Sequence, residues 1–484
     1  MLRRSRAAVA SLTGLTLAIV LATANGAAAL RQHLAVLAHV DAHDRALYQQ
    51  LKAQVADLEH RGNPQSDATG GGIAWYLMQP EADPPPAPNL DPRRPEAASS
   101  EWLGARHAIL WPTPLALVSI GQRDLFPSYS RITIRTRPLL VQSEELENPL
   151  HLLSGRLDLA FVLTFGLPLL MLPLTYDLLA GERERGTWGL VRAQPVALRT
   201  VLAAKLAVTG AVLITVAFGA AAGALAWWRV GSPGDDAAGL ALLAATIVAH
   251  VVFWLGAAAV VNLVARAPAH AAAALVAAWL AAAVIVPAWL TAVVVTWVPV
   301  PSRVQLIEGI RAAGNLTPAE SSTLLAQYFM AHPDASLGHG PHDAGALRSL
   351  VLQDEVDRRT AALREAYGRA LGARQRLADR LQVLSPVVLV QGALNEIAGA
   401  SNARFLRYAA QLDTFHTEWR AYFYPRVHRH SRLASSDYDQ FPTFSFREEA
   451  SRAVIGRAAF ATALVLAAGL ALLAIGLLRV HAAP

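Results

Sequence analysis

Glu182 and Glu184 alternate with Arg183 and Arg185 in the stretch 176–205, YDLLAGERERGTWGLVRAQPVALRTVLAAK, which lies between two uncharged apolar runs. Four alternating charges in that setting offer ion pairs and charged hydrogen bonds to a partner in water. Gly186 and Thr187 lead into Trp188, Leu190 and Val191. At 3.6 residues per turn, Trp188 and Val191 share a face with Leu190 nearby, and the Glu and Arg side chains take the wetter side. The spacing predicts a short amphipathic helix at a membrane surface. Pro195, which has no amide hydrogen, ends it, and Arg199 and Lys205 precede the next apolar run. The segment reads as a helical elbow.

Other residue types bound what chemistry is available. There is no Gly-x-x-x-x-Gly-Lys-Ser/Thr phosphate loop, and the lysines are Lys52 and Lys205, so the chain lacks the usual P-loop for nucleotide hydrolysis. His-Glu-x-x-His and Gly-x-Ser-x-Gly strings are also missing. With no cysteine, no disulfide, thiolate zinc site or cysteine nucleophile is available. No catalytic residue and no metal ligand is therefore assigned. His332, Asp334, His339, His342 and Asp343 form a solvated loop that holds the donor types for a transition metal, and His428 with His430 is a weaker pair of the same kind. Two polar residues fall inside apolar runs, His250 deep and Asn262 nearer one end. Such groups are expensive in lipid and are functional candidates by default. A proton relay needs a chain of them, so interhelical hydrogen bonding is the expectation for His250.

The elements that must position these residues follow from composition. The chain has 484 residues, 54% of them hydrophobic and 16% charged, with mean hydropathy +0.33; that is too apolar for an ordinary soluble protein. The net charge of +6 is carried by arginines beside apolar runs, which membrane topology explains without nucleic acid. A membrane-spanning helix needs about 20 apolar residues, and six segments fit: 7–30, 159–176, 206–228, 237–265, 271–300 and 458–478. The second carries Pro168 and Pro173 and is expected to kink. The fourth and fifth are alanine-rich and are expected to pack tightly.

The fold class is a polytopic α-helical membrane protein with six transmembrane helices and two large extracytoplasmic regions, α/β or mainly α. Its parts are helix 1 (1–30), a first outer region (31–157), helix 2 (158–178), the elbow loop (179–205), helices 3 to 5 (206–300), a second outer region (301–457) and helix 6 (458–478). Arg3, Arg4 and Arg6, the elbow arginines with Lys205, and Arg266 all fall on one side of this layout, which places both termini and the elbow in the cytoplasm. MLRRSR, an apolar core and GAAAL also have the form of a secretory signal. Against that, leucines and valines continue from 34 to 58 at helical spacing, so one helix can leave the membrane unbroken.

Glu182, Glu184, Gly186, Thr187, Pro195 and Lys205 reproduce a pattern, and it resembles the first cytoplasmic loop of ABC-2 type transport permeases. The wider layout, with large loops after the first and fifth apolar runs, is similar to the subfamily carrying the domain of unknown function 3526. That resemblance implies a coupling helix docking on a separate cytoplasmic ABC ATP-binding subunit, with Glu182 and Glu184 in charged contacts, Trp188, Leu190 and Val191 in an apolar groove and Gly186 allowing close backbone approach, ATP being used by the partner and no cofactor bound on this chain. It further implies a homodimer or a pair with a related permease, in a bacterial inner membrane. The alternative of another class is a non-transporting signalling or assembly scaffold linked to an ATPase.

The outer regions are less regular in sequence. Residues 73–78, 115–120 and 131–136 suggest short strands or extended pieces, the last as RITIRTR with clean alternation; 61–72 and 80–95 are Gly- or Pro-rich breaks. Residues 349–384 lack proline and predict a long helix packed on the stem or on a partner. After Pro386 comes an apolar stretch too short to span, closed by 399–402. It reads either as an interfacial or re-entrant helix, with Trp419, Tyr422, Phe423 and Tyr424 in the headgroup layer, or as a soluble helical hairpin.

Overall fold

The computed structural model describes residues 6–61, 91–100, 103–121, 127–134, 157–228, 237–332 and 341–480, with the backbone alone at 191 and 341–344. The strand expected at 73–78, the 229–236 turn and Asp334 and His339 of the histidine loop lie outside the described residues.

Among the described residues, six helices are long and apolar enough to cross a membrane. The first, α1, runs Arg6–His60 without a break. At about 1.5 Å per residue it is about 80 Å long, far more than the roughly 30 Å of hydrocarbon. It therefore belongs to two cores. Leu15 and Ile19 sit among the spanning helices, while Tyr48, Leu51 and Val55 sit in a separate outer core. The signal-like GAAAL lies inside this helix, with Ala27 and Leu30 buried against Ala116 and Leu117.

Next come α2 (Pro95–Ala98) and an antiparallel pair, β1 (Arg106–Ile109) and β2 (Tyr129–Ile132), in register Arg106 to Ile132. RITIRTR thus contributes a strand, shifted toward its N-terminal end. Residues 115–120 are a correction: they form buried turns, not a strand. Val118 donates its amide to Leu115 and accepts from Ala160 at 2.9 Å, so the segment closes over the start of the second span, where Asp158 caps Phe161 N at 2.7 Å and holds Ile120 N at 2.8 Å.

That second span, α3, covers Leu159–Phe161, a π-turn Val162–Gly166 and then Leu167–Thr175. A π-turn widens the helix and loosens backbone pairing, and proline removes further donors. Side chains of two other spans meet the freed carbonyls. His250 Nε2 lies 3.2 Å from Thr164 O, and Trp279 Nε1 donates to Phe165 O at 3.1 Å. His250 is thus an interhelical hydrogen-bonding residue. His250→Leu and Trp279→Phe are each expected to lower stability in detergent by about 1 kcal/mol, in line with interhelical bonds in membranes; unchanged unfolding midpoints in both would remove the π-turn from the account.

After two short elbow helices, α4 (Ala180–Glu184) and α5 (Trp188–Ala193), come α6 (Leu198–Trp228), α7 (Ala237–Val264) and α8, the last with its own π-turn: Pro268–Leu280, Ala281–Ile285, Val286–Trp297. Tight packing holds for α7 but not for α8. A Cβ on Gly256 of α7 would come within 2.7 Å of the Gly469 carbonyl on the last span, and Thr246 bonds Thr462 at 2.9 Å. In α8, by contrast, Val284, Ile285, Trp289 and Trp297 are exposed. Alanine content alone does not choose a partner; complementary small residues on the facing helix do.

The region between α8 and the last span is helical: α9 (Arg303–Gly314), α10 (Pro318–Ala331), α11 (Pro341–Leu381), α12 (Pro386–Ile397) and α13 (Asn402–His428) precede the last span α14 (Ser451–Arg479). Capping boxes at Ser302/Gln305 and Thr317/Glu320 set the starts of α9 and α10. The long helix α11 packs on α9 and α10, is tied to α13 by Arg420 and Asp357 at 2.7 Å, and at its start shares a core with the stem through Ala346 and Leu350. The short apolar helix α12 packs among α3, α7 and α14, with Leu389, Val390 and Leu394 buried.

Its follower α13 does something else. Trp419 and Phe423 are fully buried in the outer core against Phe441, not set in a headgroup layer. Aromatic rings, apolar with polar tips, suit either place, and here Tyr48, Tyr438 and Phe441 supply packing partners. Burial pushes the Tyr408 and Tyr438 hydroxyls well above the usual tyrosine range. They remain neutral donors to Ala108 O at 2.8 Å and Pro92 O at 2.7 Å.

Candidate functional site: a latched elbow

Where α3 ends, its last carbonyls and the first amides of the elbow need partners. Asn262 of α7 supplies them from inside the bundle. Its Nδ2 donates to Thr175 O and to Ala258 O, both at 2.9 Å, and its Oδ1 accepts from Leu179 N at 3.2 Å. One amide side chain therefore fixes the exit of α3 against the last turns of α7. Beside it, Ala180, Ala265 and Ala271 form a small closed cluster, whose short side chains let α4 lie flat on the α7–α8 junction.

Charge completes the attachment. Lys205, in the first turns of α6, donates to Leu178 O at 2.9 Å and to Glu182 Oε1 at 3.1 Å. The other Glu182 oxygen accepts from Thr187 at 2.5 Å, and Arg185 stands 3.6 Å away. Arg183 donates to Ala265 O at 2.7 Å and lies over the Trp188 ring at 5.0 Å. At Gly186 the chain turns with φ +70, a left-handed conformation that favours glycine. A Cβ there would meet nothing within 4 Å in this chain, so the turn, not crowding, accounts for glycine.

The elbow residues thus separate into two sets. Glu182, Arg183, Thr187 and Trp188 face inward and hold the segment to α6 and α7. Glu184, Arg185, Leu190 and Pro195 face outward, with Leu190 at 70% exposure. Instead of one amphipathic helix there are two short ones, and on the second, α5, Trp188 and Leu190 lie two residues apart on opposite sides, so Trp188 packs on the bundle while Leu190 projects away from it. Val196, 46% exposed, extends the outward apolar surface beyond Pro195. Its sequence signal was only a valine after a helix-ending proline. Among the described residues no group of three or more His, Cys, Asp or Glu is placed to hold a metal. His332 stacks on Tyr328, which also contacts His428.

Six candidate spans, a 55-residue stem and a bundle that also packs the short helix α12 define a helical membrane protein with a separate outer core. Residues 303–447, from α9 to the chain just before α14, match the family described as Domain of unknown function (DUF3526). That match covers the second outer region and leaves the elbow and all six candidate spans outside it. A comparison with curated proteins gives no match.

Proposed function

We propose that this chain is the membrane-spanning subunit of an ABC-2 type ATP-driven transporter, in which the elbow receives the motion of a separate cytoplasmic ATP-binding subunit. The observation that carries the reading is the division of the elbow: a buried set that ties it to α3, α6 and α7, and an exposed set of Glu184, Leu190 and Val196 that has no role inside the chain. A surface so fastened transmits force, because displacement of α4 and α5 must move Asn262 and Lys205 with them. In this reading the elbow side faces the bacterial cytoplasm, the outer core faces away from it, and the chain works as a homodimer or beside a related permease. Export is favoured, since charges that would serve an ion-driven pathway are scarce within the spans.

A second reading has its own support. The unbroken α1 links the bundle directly to the outer core, and such a rod can carry a signal with no substrate path. Co-purification decides whether an ATPase partner exists. Detergent-extracted chain is expected to bring down ATPase activity, and Glu184→Arg with Leu190→Asp is expected to reduce the co-purified activity at least tenfold while the chain stays folded, since interface anchors each contribute about 2 kcal/mol or more. A folded chain that brings down no ATPase in any form overturns the permease reading and leaves only a scaffold that works without an ATPase.

A further inference from the structure

At the stem end of the bundle, where α7 and α14 begin, a cavity of about 380 Å³ opens between these helices, the end of α12 and the loop 111–114. That volume is in the range of small-ligand sites. Its depth matters: Ala237 and Ser451 start the two spans, so the cavity lies at the level where a bilayer's headgroups meet its hydrocarbon.

The lining has two halves. One is apolar: Leu242, Val454 and Ile455, with the exposed ring of Trp111 at the edge. The other alternates in charge. Arg404 pairs with Glu448, Arg407 with Glu449 at 3.0 Å, and Arg457 with both Glu449 at 3.0 Å and Glu396 at 2.9 Å. Arg404 is anchored further by Trp111 O at 2.8 Å and Gly399 O at 3.2 Å. Gly399 itself turns the chain with φ +61. Hydrogen bonds from Arg457 hold Glu449 below the usual carboxylate range, so it stays ionised at neutral pH.

Three cations and three anions around one mouth cancel in sum but not in place. A simple anion would satisfy the guanidiniums and be opposed by the carboxylates. A group carrying a phosphate and an ammonium a few bonds apart matches both. Arg407, Arg457 and Glu448 have side chains 40%, 41% and 52% exposed, each paired with a more buried partner, so in every pair one charged group is open to a ligand's charges while the other is held in place. We infer that this cavity binds one phospholipid with a primary-amine zwitterionic headgroup, its phosphate on Arg407 and Arg457, its ammonium on Glu448 and Glu449, and an acyl chain along Val454 and Ile455. The inference rests on the charge pattern and depth and is independent of any ATPase partner.

Native mass spectrometry of the full chain in detergent tests it, with phosphatidylethanolamine, phosphatidylglycerol and phosphatidylcholine of matched chains. Phosphatidylethanolamine is expected to bind once per chain and about tenfold more tightly than the other two, the effect of one charge-assisted hydrogen bond. Glu448→Gln should erase the preference over phosphatidylglycerol, and Arg407→Gln should weaken all three. Ile455→Trp, which fills the apolar half without touching an ion pair, should abolish binding and guards against misfolding of the charge variants. Equal retention of the three lipids, or binding unchanged in Ile455→Trp, overturns the site. Displacement by free phosphoethanolamine at the lipid's own concentration would show that a soluble zwitterion suffices and overturn the lipid assignment.

Discussion

Glu182→Arg is expected to release the elbow from the bundle while leaving the spans folded. The glutamate's side chain is 12% exposed, accepts from Thr187 at 2.5 Å and sits 3.1 Å from Lys205. Reversal would set a guanidinium against Lys205 and Arg185 and leave the Lys205 ammonium with only the Leu178 carbonyl. Hydrogen bonds to charged groups contribute about 1.5–3 kcal/mol, and here the effect is local opening, not global unfolding. Hydrogen exchange over 177–193 should therefore quicken by about 10- to 100-fold, given about 1.4 kcal/mol per decade, with the midpoint of global unfolding almost unmoved. Glu182→Lys combined with Lys205→Glu should recover most of the protection, because the pair is internal. A docking residue would behave differently: the swap would restore nothing. If Glu182→Arg leaves exchange as it was, the latch does not hold the elbow.

Gly469→Leu should be the most damaging single change in the bundle. A Cβ at that position would lie 2.6 Å from Phe253 N, 2.7 Å from Phe253 Cα and 2.9 Å from Val252 C. All three are backbone atoms, so no rotamer relieves the clash and α7 and α14 must move apart. Separation also breaks the Thr246–Thr462 bond and the close contact at Gly256. Overpacking of this kind costs about 3 kcal/mol. Gly456→Leu on the same helix is the control, since a Cβ there meets nothing within 4 Å; it should stay within about 0.5 kcal/mol of the parent. Equal unfolding midpoints for the two variants in mild detergent would mean that α7 and α14 are not packed backbone to backbone.

Some of this was written in local sequence. An apolar run of span length has no other stable place, and Ser or Thr before a helix with Glu or Gln three residues on satisfies orphan amides on the spot. The spans and the continuation of the stem to residue 58 were legible; α9 and α10, whose capping boxes stand in the same sequence, were not foreseen. The elbow's place between two spans was legible too, but its inner and outer faces were not. Trp188 and Leu190 are two residues apart; which one is buried depends on which side of α5 meets the bundle, where Arg183, held by the Ala265 carbonyl some eighty residues away, lies over the Trp188 ring. Asn262 stood out as a polar residue in an apolar run, yet nothing nearby in sequence indicated that Thr175 and Leu179 would be its partners.

The aromatic run of α13 shows the same limit from the other side. Trp419 and Phe423 have the chemistry of a membrane-interface belt as well as of a helical core, and it is Tyr48 of the stem and Phe441 beyond α13, assembling into one core around them, that decide for the second. The long helix α11 was foreseen, and its docking on α9 and α10 was not. Sequence by itself determined which segments are helices, which of those are apolar enough to enter a bilayer, and where the dense charge falls between them, because propensity, hydropathy and capping act within a few residues. Tertiary structure decided which charges are spent inside the chain, which glycines meet across helices and which arginines and glutamates surround a common cavity, because those outcomes depend on groups brought together from distant parts of the chain.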